Sequence, residues 1–377
     1  VNKIKSCIPK NHKQIHMHEP NFNKEDLLNV TNCIKSTFVS TRGNYINSFS
    51  QKLQNFTGCK YILLTSSGTA ALFLSLKTIN VEKCEVLLPT MTFVATPNSI
   101  IEANGIPNFI DSSKVSLNIS AAKLTEYLDE IAIIKDKKCI NKITRRVIKA
   151  IIIVHAYGDP ANLSSIRKIS KKYNIEIIED GAGALGSFYN KKHIGTTSRC
   201  SILSFNGNKI VTTGMGGAIL FKNKNDFRNI KHLISTARMP HDWKVEHDQI
   251  GYNLRMANIN AALGDSQMKR IKTTIRNKKI LFKKYEDVFN NDEYCFLHKS
   301  NLENQSNHWI TNLYLKQKYK KYHQALIKKL HKEKILVREL WKPQHMNMMY
   351  KNMPKSSMTN AINHWKTGIS LPSSNYK

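Results

Sequence analysis

Acidic residues are scarce in this sequence. Asp and Glu number 27 against 58 Lys and Arg in 377 residues, a net charge of +31. The lysines are spread along the chain among abundant Asn and Ile. There is no zinc finger, no RNP motif and no basic stripe interleaved with aromatics. Nucleic-acid binding is therefore not expected from the charge. Cysteine is sparse too: Cys7, Cys33, Cys59, Cys84, Cys139, Cys200 and Cys295 are odd in number, and none forms a C-x-x-C pair. That excludes a disulfide framework and a zinc ribbon and leaves free thiols in a reducing compartment. No H-E-x-x-H and no clustered carboxylates call for a metal. No apolar run nears the ~20 residues that cross a bilayer, and residues 1–6 hold no apolar stretch that could serve as a signal peptide. The expectation is a cytoplasmic protein with neither membrane nor nucleic acid as partner.

What is present is globular chemistry, 41% apolar and 23% charged, in a chain long enough for two domains. Residues 1–60 read as a helical arm, with Asn23 as the N-cap of a helix whose apolar residues recur at helical spacing. From Tyr61 onward short apolar strands alternate with helices. The pattern predicts strands over 61–65, 85–89, 107–111, 149–155, 175–180, 200–205 and 217–221. It predicts helices over 69–79, 97–103 and 163–173. Such alternation means βαβ units and an α/β fold with a mostly parallel sheet flanked by helices. The lysine-rich runs 135–146 and 316–334 read as solvated loop and helix faces. From about Asn258 the texture turns helical and lysine-rich, then mixed. The expected division is 1–257, the arm plus a large domain, and 258–377, a smaller α+β domain.

Open α/β sheets take ligands beyond the carboxyl ends of their strands. Past the first strand stands Ser66-Ser-Gly-Thr69 at a helix N-terminus. Free N–H groups and the positive dipole end there suit a phosphate, although an ordinary capped helix has the same residues. The run is neither G-x-G-x-x-G nor a Walker A loop, which demotes NAD and ATP. Past the second strand Phe93 is either a platform for a ring or a core residue. Asp180 ends its strand beside small residues that leave room for a ring. Lys209 closes the polar loop Ser204-Phe-Asn-Gly-Asn-Lys209, where a lone lysine is otherwise surface. His155, at another strand end, reads as a hydrogen-bonded core histidine. Together, a phosphate cradle, an aromatic, a strand-end Asp and a loop Lys meet the needs of pyridoxal phosphate. The lysine amine, partly neutral when buried, condenses with the aldehyde, and Asp180 pairs with the ring nitrogen. The N–H groups near Gly68 and the Ser204 hydroxyl can hold the phosphate.

Several stretches carry a resemblance to a known family. They are Ser66-Ser-Gly-Thr-Ala-Ala-Leu72, Pro89-Thr-Met-Thr-Phe-Val-Ala-Thr96, Val154-His-Ala-Tyr-Gly-Asp-Pro-Ala161, Glu179-Asp-Gly-Ala182, Ser204-Phe-Asn-Gly-Asn-Lys209 and Thr213-Gly-Met-Gly-Gly217. Gly251-Tyr-Asn-Leu-Arg255, Trp341-Lys-Pro-Gln-His345 and Leu371-Pro-Ser-Ser374 continue the series. In order and spacing, over nearly the whole chain, they resemble the DegT/StrS nucleotide-sugar aminotransferases, fold type I pyridoxal-phosphate enzymes. The resemblance implies Lys209 as cofactor carrier and proton shuttle, Asp180 on the pyridine nitrogen and Phe93 stacked on the ring. It implies Ser67, Gly68, Thr69 and Ser204 on the phosphate. It implies a homodimer with shared sites, in which Asn253 reaches the phosphate of the neighbouring subunit's cofactor. Arg255, Trp341 and His345 are implied at the substrate.

The loop ending in Lys209 and the Trp341–His345 motif are most similar to the subgroup acting at C4 of 4-keto-6-deoxy sugars, in bacillosamine, legionaminic acid or perosamine synthesis. The implied reaction moves an amino group from an amino acid, glutamate, to a nucleotide-linked keto sugar. The cofactor then alternates with pyridoxamine phosphate, and the kinetics are ping-pong. Two alternatives stay open. One is a sugar dehydratase on the same fold, whose relatives carry His in place of Lys209. The other is a non-catalytic binding or regulatory relative, suggested by the charge. There are also departures from the family pattern. Gly183 stands where relatives carry Gln, Glu or His, facing the cofactor's phenolic oxygen. Gly181 and Met215 replace the commoner Ala and Glu or Gly. The chain ends soon after 371–374, where relatives add a helix, so a shortened C-terminus is expected.

Overall fold

The computed structural model describes residues 1–9, 13–299 and 304–376. Its central sheet has seven strands: β1 (Tyr61–Thr65), β2 (Glu85–Pro89), β3 (Ile106–Ile110), β4 (Ile148–Val154), β5 (Glu176–Asp180), β6 (Cys200–Ser204) and β7 (Gly217–Phe221). They lie in the order β1-β7-β6-β5-β4-β2-β3. The pairs from β6 through to β3 are parallel, whereas β7 runs against both of its neighbours.

That reversal interrupts the strand–helix alternation read from the sequence, and the β6–β7 connection explains it. No helix lies between these strands to carry the chain across the sheet. The loop closes on itself instead, with Phe205 N–H donating to Gly216 O (2.9 Å) and Thr213 N–H to Phe205 O (2.9 Å). Without a crossover, only antiparallel pairing is in reach. Lys209 sits on this closed loop.

The strands read as continuous apolar runs because the sheet is covered on both faces. One cluster joins Val86, Leu88, Ile152 and Ile202 to Leu74 and Ile100, and another joins Leu87, Ile151 and Ile153 to Leu128 and Ile166. The covering elements include α3 (Gly68–Lys77), α4 (Ala95–Glu102) and α5 (Leu163–Tyr173). Ahead of them stand α1 (Lys24–Lys35) and α2 (Asn44–Thr57). Asn23 caps α1 as read: its Oδ1 accepts from the N–H groups of Glu25 (3.0 Å) and Asp26 (3.1 Å), and Asp26 Oδ2 accepts from Asn23 N–H (2.8 Å).

Two lysine-rich runs behave differently. The run 316–334 holds a helix, α8 (His323–Lys332), as expected. In the run 135–146 residues 135–141 belong to a hairpin, Ala132–Lys135 paired with Lys138–Asn141, and only 142–146 form the exposed loop that was expected. Asp136 and Lys137 both take positive φ, 50° and 59°. A two-residue turn of that hand matches strand twist, and this local geometry outweighs charge density.

In the C-terminal region, α6 (Asn258–Met268) packs on α1 and α2, with Asn258 Nδ2 donating to Phe38 O (2.6 Å). The long α7 (Ile271–Phe289) follows. A second sheet, fully antiparallel, has β8 (Cys295–Leu297), β9 (Asn312–Leu315), β10 (Arg338–Glu339) and β11 (Gly368–Ser370) in the order β8-β9-β11-β10. Its core contains Tyr285, Leu313, Val337 and Ile369, and also Ile4, Ile8 and Ile15. The start of the arm thus packs with the C-terminal sheet. Among the described residues no helix is long and apolar enough to cross a membrane, and all seven cysteines are free thiols.

Candidate active site

A cavity of about 370 Å³ opens beyond the carboxyl ends of the parallel strands. Successive strands deliver their next residues to it: Ser67, Gly68 and Thr69 after β1; Thr92, Phe93 and Thr96 after β2; His155 and Tyr157 after β4. Asp180 and Ser204 close β5 and β6, and Lys209 comes from the β6–β7 loop. Trp309, Arg338, Glu339 and Trp341 line it from the C-terminal part, and Met17 from the arm.

Asp180 is buried and fixed. Its Oδ2 accepts from Thr96 Oγ1 (2.8 Å) and its Oδ1 from Ala182 N–H (3.1 Å). Thr96 Oγ1 lies 2.7 Å from Thr92 Oγ1, so two hydroxyls hold one carboxylate in a single orientation. Lys209 is partly buried, on the wall of the cavity. Burial lowers the pKa of its amine to about 8, and the Asp180 charge works against that fall. The amine is therefore substantially neutral in mildly alkaline solution, as a nucleophilic lysine must be.

The start of α3 is both a capped helix and a hollow. Ser67 Oγ accepts from Ala70 N–H (3.0 Å). A Cβ at Gly68 would come within 2.9 Å of Ser204 Cβ. Only glycine lets this turn approach β6 so closely, and the helix N-terminus then faces the Ser204 hydroxyl across a gap suited to an anion. Phe93 is 58% exposed on the cavity wall, so it is no core residue. Trp341 stacks on Tyr157 with centroids 4.0 Å apart and planes at 17°, and Tyr157 OH accepts from Trp341 N–H (2.9 Å).

His155 is the hydrogen-bonded core histidine that the sequence suggested. Its Nδ1 accepts from Ala161 N–H (3.1 Å), so Nε2 carries the proton and donates to Glu179 Oε2 (3.0 Å). Burial pushes the Glu179 carboxyl up. Donors from His155, Ser198 and Gly195 outweigh that effect and hold it below the usual carboxylate range.

Asn253, Arg255 and His345 do not line this cavity. Asn253 is exposed, on an extended segment bridged to Ser235. Arg255 lies opposite Thr65, and burial together with Arg42 lowers its pKa. His345 Nδ1 is 2.7 Å from Thr90 Oγ1, and burial lowers its pKa, with Lys355 adding to the effect. Conversely, the sequence reading assigned no role to Thr96, Tyr157 or Trp309. Thr96 and Tyr157 stand inside stretches already singled out. Trp309 had no local signal: its Nε1 donates to Asn208 O (2.6 Å) across 101 residues of chain.

The residues present fit pyridoxal phosphate. A partly buried amine of lowered pKa, a fixed buried carboxylate and an anion-ready helix N-terminus face one cavity, with an aromatic ring on its wall. Comparison with known proteins agrees. A model of the DegT/DnrJ/EryC1/StrS aminotransferase family matches residues 20–376. The chain belongs to that family. It is a pyridoxal phosphate-dependent sugar aminotransferase.

GDP-perosamine synthase of Escherichia coli O157:H7 is 30% identical over 362 residues, covering 96% of this chain and 93% of the relative. UDP-4-amino-4,6-dideoxy-N-acetyl-beta-L-altrosamine transaminase of Campylobacter jejuni is 28% identical over 357 residues, covering 93% and 90%. Helicobacter pylori PseC, an aminotransferase involved in the biosynthesis of pseudoaminic acid, is similar in structure with a TM-score of 0.86. It is 26% identical, with 96% of this chain and 94% of that one covered. Within this aminotransferase, the departure at Gly183 has a visible counterpart. A Cβ there would meet Trp309 Cε3 at 2.2 Å, so the indole occupies the space a side chain would need.

Proposed function

We propose that this aminotransferase moves the amino group of an amino acid, L-glutamate, to the C4 keto group of a nucleotide-linked 4-keto-6-deoxy sugar, for surface glycan synthesis. One observation carries the reading: the amine of Lys209, with its lowered pKa, and the fixed carboxylate of Asp180 share a single cavity beside a helix N-terminus. The position on the sugar rests on the relatives, since the Campylobacter jejuni protein is named for a 4-amino-4,6-dideoxy sugar. A histidine in place of Lys209 would favour the dehydratase alternative, and Lys209 speaks against it.

In this reading Lys209 Nζ would hold the cofactor between turnovers and take the proton that leaves the amino-bearing carbon of the donor. Bound pyridoxal phosphate supplies an electron sink for the pair left behind when that proton departs. Asp180 would accept from the ring N–H, with Thr96 keeping the carboxylate aimed. Ser67, Gly68, Thr69 and Ser204 take the phosphate, Phe93 covers the ring, and Trp341 borders the sugar. Arg255 and His345, outside the cavity of one chain, are assigned to the substrate as well. The protein works as a homodimer, with exposed Asn253 donating to the phosphate in the partner's site. Residues 1–257 form the large domain with its arm, and residues 258–377 the small one.

Two measurements test this. Borohydride reduction of the cofactor-loaded protein, followed by peptide mapping, places the adduct on Lys209; an adduct on another lysine sinks the assignment. Incubation with glutamate and a panel of UDP-, GDP- and dTDP-4-keto-6-deoxy sugars yields a 4-amino sugar, read by mass. Amination of none of them overturns the substrate class.

A further inference from the structure

Trp309 touches the Lys209 region in two ways. Its ring lies under the amine, with Nζ 3.7 Å from the ring centroid. Its Nε1 donates to the carbonyl of Asn208, the residue before Lys209 (2.6 Å). The indole is itself fixed. Trp309 N–H donates to Asn307 Oδ1 (2.8 Å), and Asn307 Nδ2 donates to the carbonyls of Gly183 (2.9 Å) and Leu185 (2.9 Å). Lys278 Nζ donates to Trp309 O (3.1 Å). Gly183 leaves the space that the ring fills, since a Cβ there would lie 2.2 Å from Cε3 and 2.6 Å from Cζ3. The turn after Asp180, the Lys209 loop and the strand-side residue Trp309 are therefore one interlocked unit.

We infer that Trp309 is the positioning residue for Lys209: its ring face seats the amine, its Nε1 clamps the backbone beside it, and Gly183 is the small residue that lets the ring reach. The inference rests on Lys209 being the reactive amine. The face of an indole attracts an ammonium, most of all where water is excluded. The ring thus holds the amine protonated to a higher pH than an equally dry aliphatic wall would. Other charged and titratable groups also face Lys209. Across the large cavity stand Asp180, His155, Tyr157, Arg338 and Glu339. On its other side, around a smaller cavity, stand His18, Glu19, Lys278 and Arg270, the last neutralised by Asp26. All of these groups remain in both Trp309 variants, and Tyr157, whose ring stacks on Trp309 with centroids 6.2 Å apart, loses the same indole neighbour in each.

The test measures the titration of Lys209 in the full-length, cofactor-free protein. The readout is the pH dependence of reductive methylation at Lys209, resolved by peptide mass. Trp309→Phe keeps a ring face but loses the Nε1 donor. Trp309→Leu loses both and leaves a similar space, so water entry affects the two alike. Lys209 should titrate about 0.5–1 pH unit lower in the Leu variant than in the Phe variant. Gly183→Ala is the second probe: it keeps every group yet forces the ring away, and it should lower the midpoint relative to wild type. Identical titration in the Phe and Leu variants overturns the seat, as does a wild-type midpoint in Gly183→Ala. The borohydride adduct is read separately. Its absence from Lys209 refutes the assigned function while leaving the titration difference standing.

Discussion

Lys209, partly buried, and Lys278, fully buried, are two lysines with lowered amine pKa values and different surroundings. Lys209 and Lys278 both line a small cavity of about 20 Å³. Burial lowers both amines, Lys209 to about 8 and Lys278 to about 7. Lys278 donates to the carbonyls of Trp309 (3.1 Å) and Ser373, and among the described residues no ion pair holds it. The space it borders has room for about one water molecule. Lys209 also borders the cavity of about 370 Å³, which Asp180 lines as well, and has an indole face under its amine. Desolvation alone thus makes an amine ready to lose its proton. Access, a nearby carboxylate and a seat that leaves the nitrogen unencumbered separate a candidate nucleophile from a structural strut.

Substitutions at the two lysines give the sharpest contrast. Lys209→Ala should reduce transamination to background, and Lys278→Met should leave the borohydride adduct on Lys209. If Lys278→Met removes the adduct and Lys209→Ala does not, the comparison is reversed. Next in size is the carboxylate that only Lys209 has. Asp180→Asn keeps the shape but not the charge, and kcat should fall on the order of 10²–10³, typical for losing a preorganised electrostatic partner. Near-normal kcat would reduce Asp180 to a structural role.

A third effect concerns reach across a dimer. Asn253→Ala should weaken cofactor retention by about ten- to a hundredfold, the worth of one hydrogen bond to a charged acceptor. Mixed with Lys209→Ala protein, it should regain part of the activity, because one of the two sites in a heterodimer then carries neither defect. Mixed dimers that regain none would put Asn253 and Lys209 in the same site of one chain.

A fourth effect, similar in free energy to the third, is on stability. Lys278 has a folded-state pKa below its unfolded value of ~10.4. The cost of burying its charge is therefore full below about pH 7 and gone above ~10.4, so stability rises with pH between them. Lys278→Met should flatten that rise by roughly 2–3 kcal/mol between about pH 7 and 9, read from urea midpoints of the cofactor-free protein. An unchanged slope would show that Lys278 keeps an ordinary pKa.

Local chemistry made much of the fold legible. Glu85–Pro89, Gly217–Phe221 and Leu163–Tyr173 appear with the bounds read from apolar runs and helical spacing. Asn23 announced its cap because the capping residues lie within one turn of each other. Asp180, Lys209 and the Ser67–Thr69 turn could be found because Asp180 ends its strand, the turn follows its strand closely and Lys209 lies on the loop after β6, and parallel strands bring their carboxyl ends to one edge of the sheet. The hairpin at 132–141 escaped notice because lysines masked two short strands, and the turn depends on backbone angles at Asp136 and Lys137 that composition does not reveal.

By itself, the sequence determined which short segments become strands and helices and which reactive residues stand at their ends. Those properties depend on neighbours within a few positions, where period and capping act. The tertiary structure alone decided that β7 runs backward, that Thr96 aims Asp180, and that Trp309 fills the space beside Gly183 and lies under Lys209. Each of these depends on atoms brought together across long stretches of chain by packing, and close contact at that separation leaves no periodic trace in the order of residues.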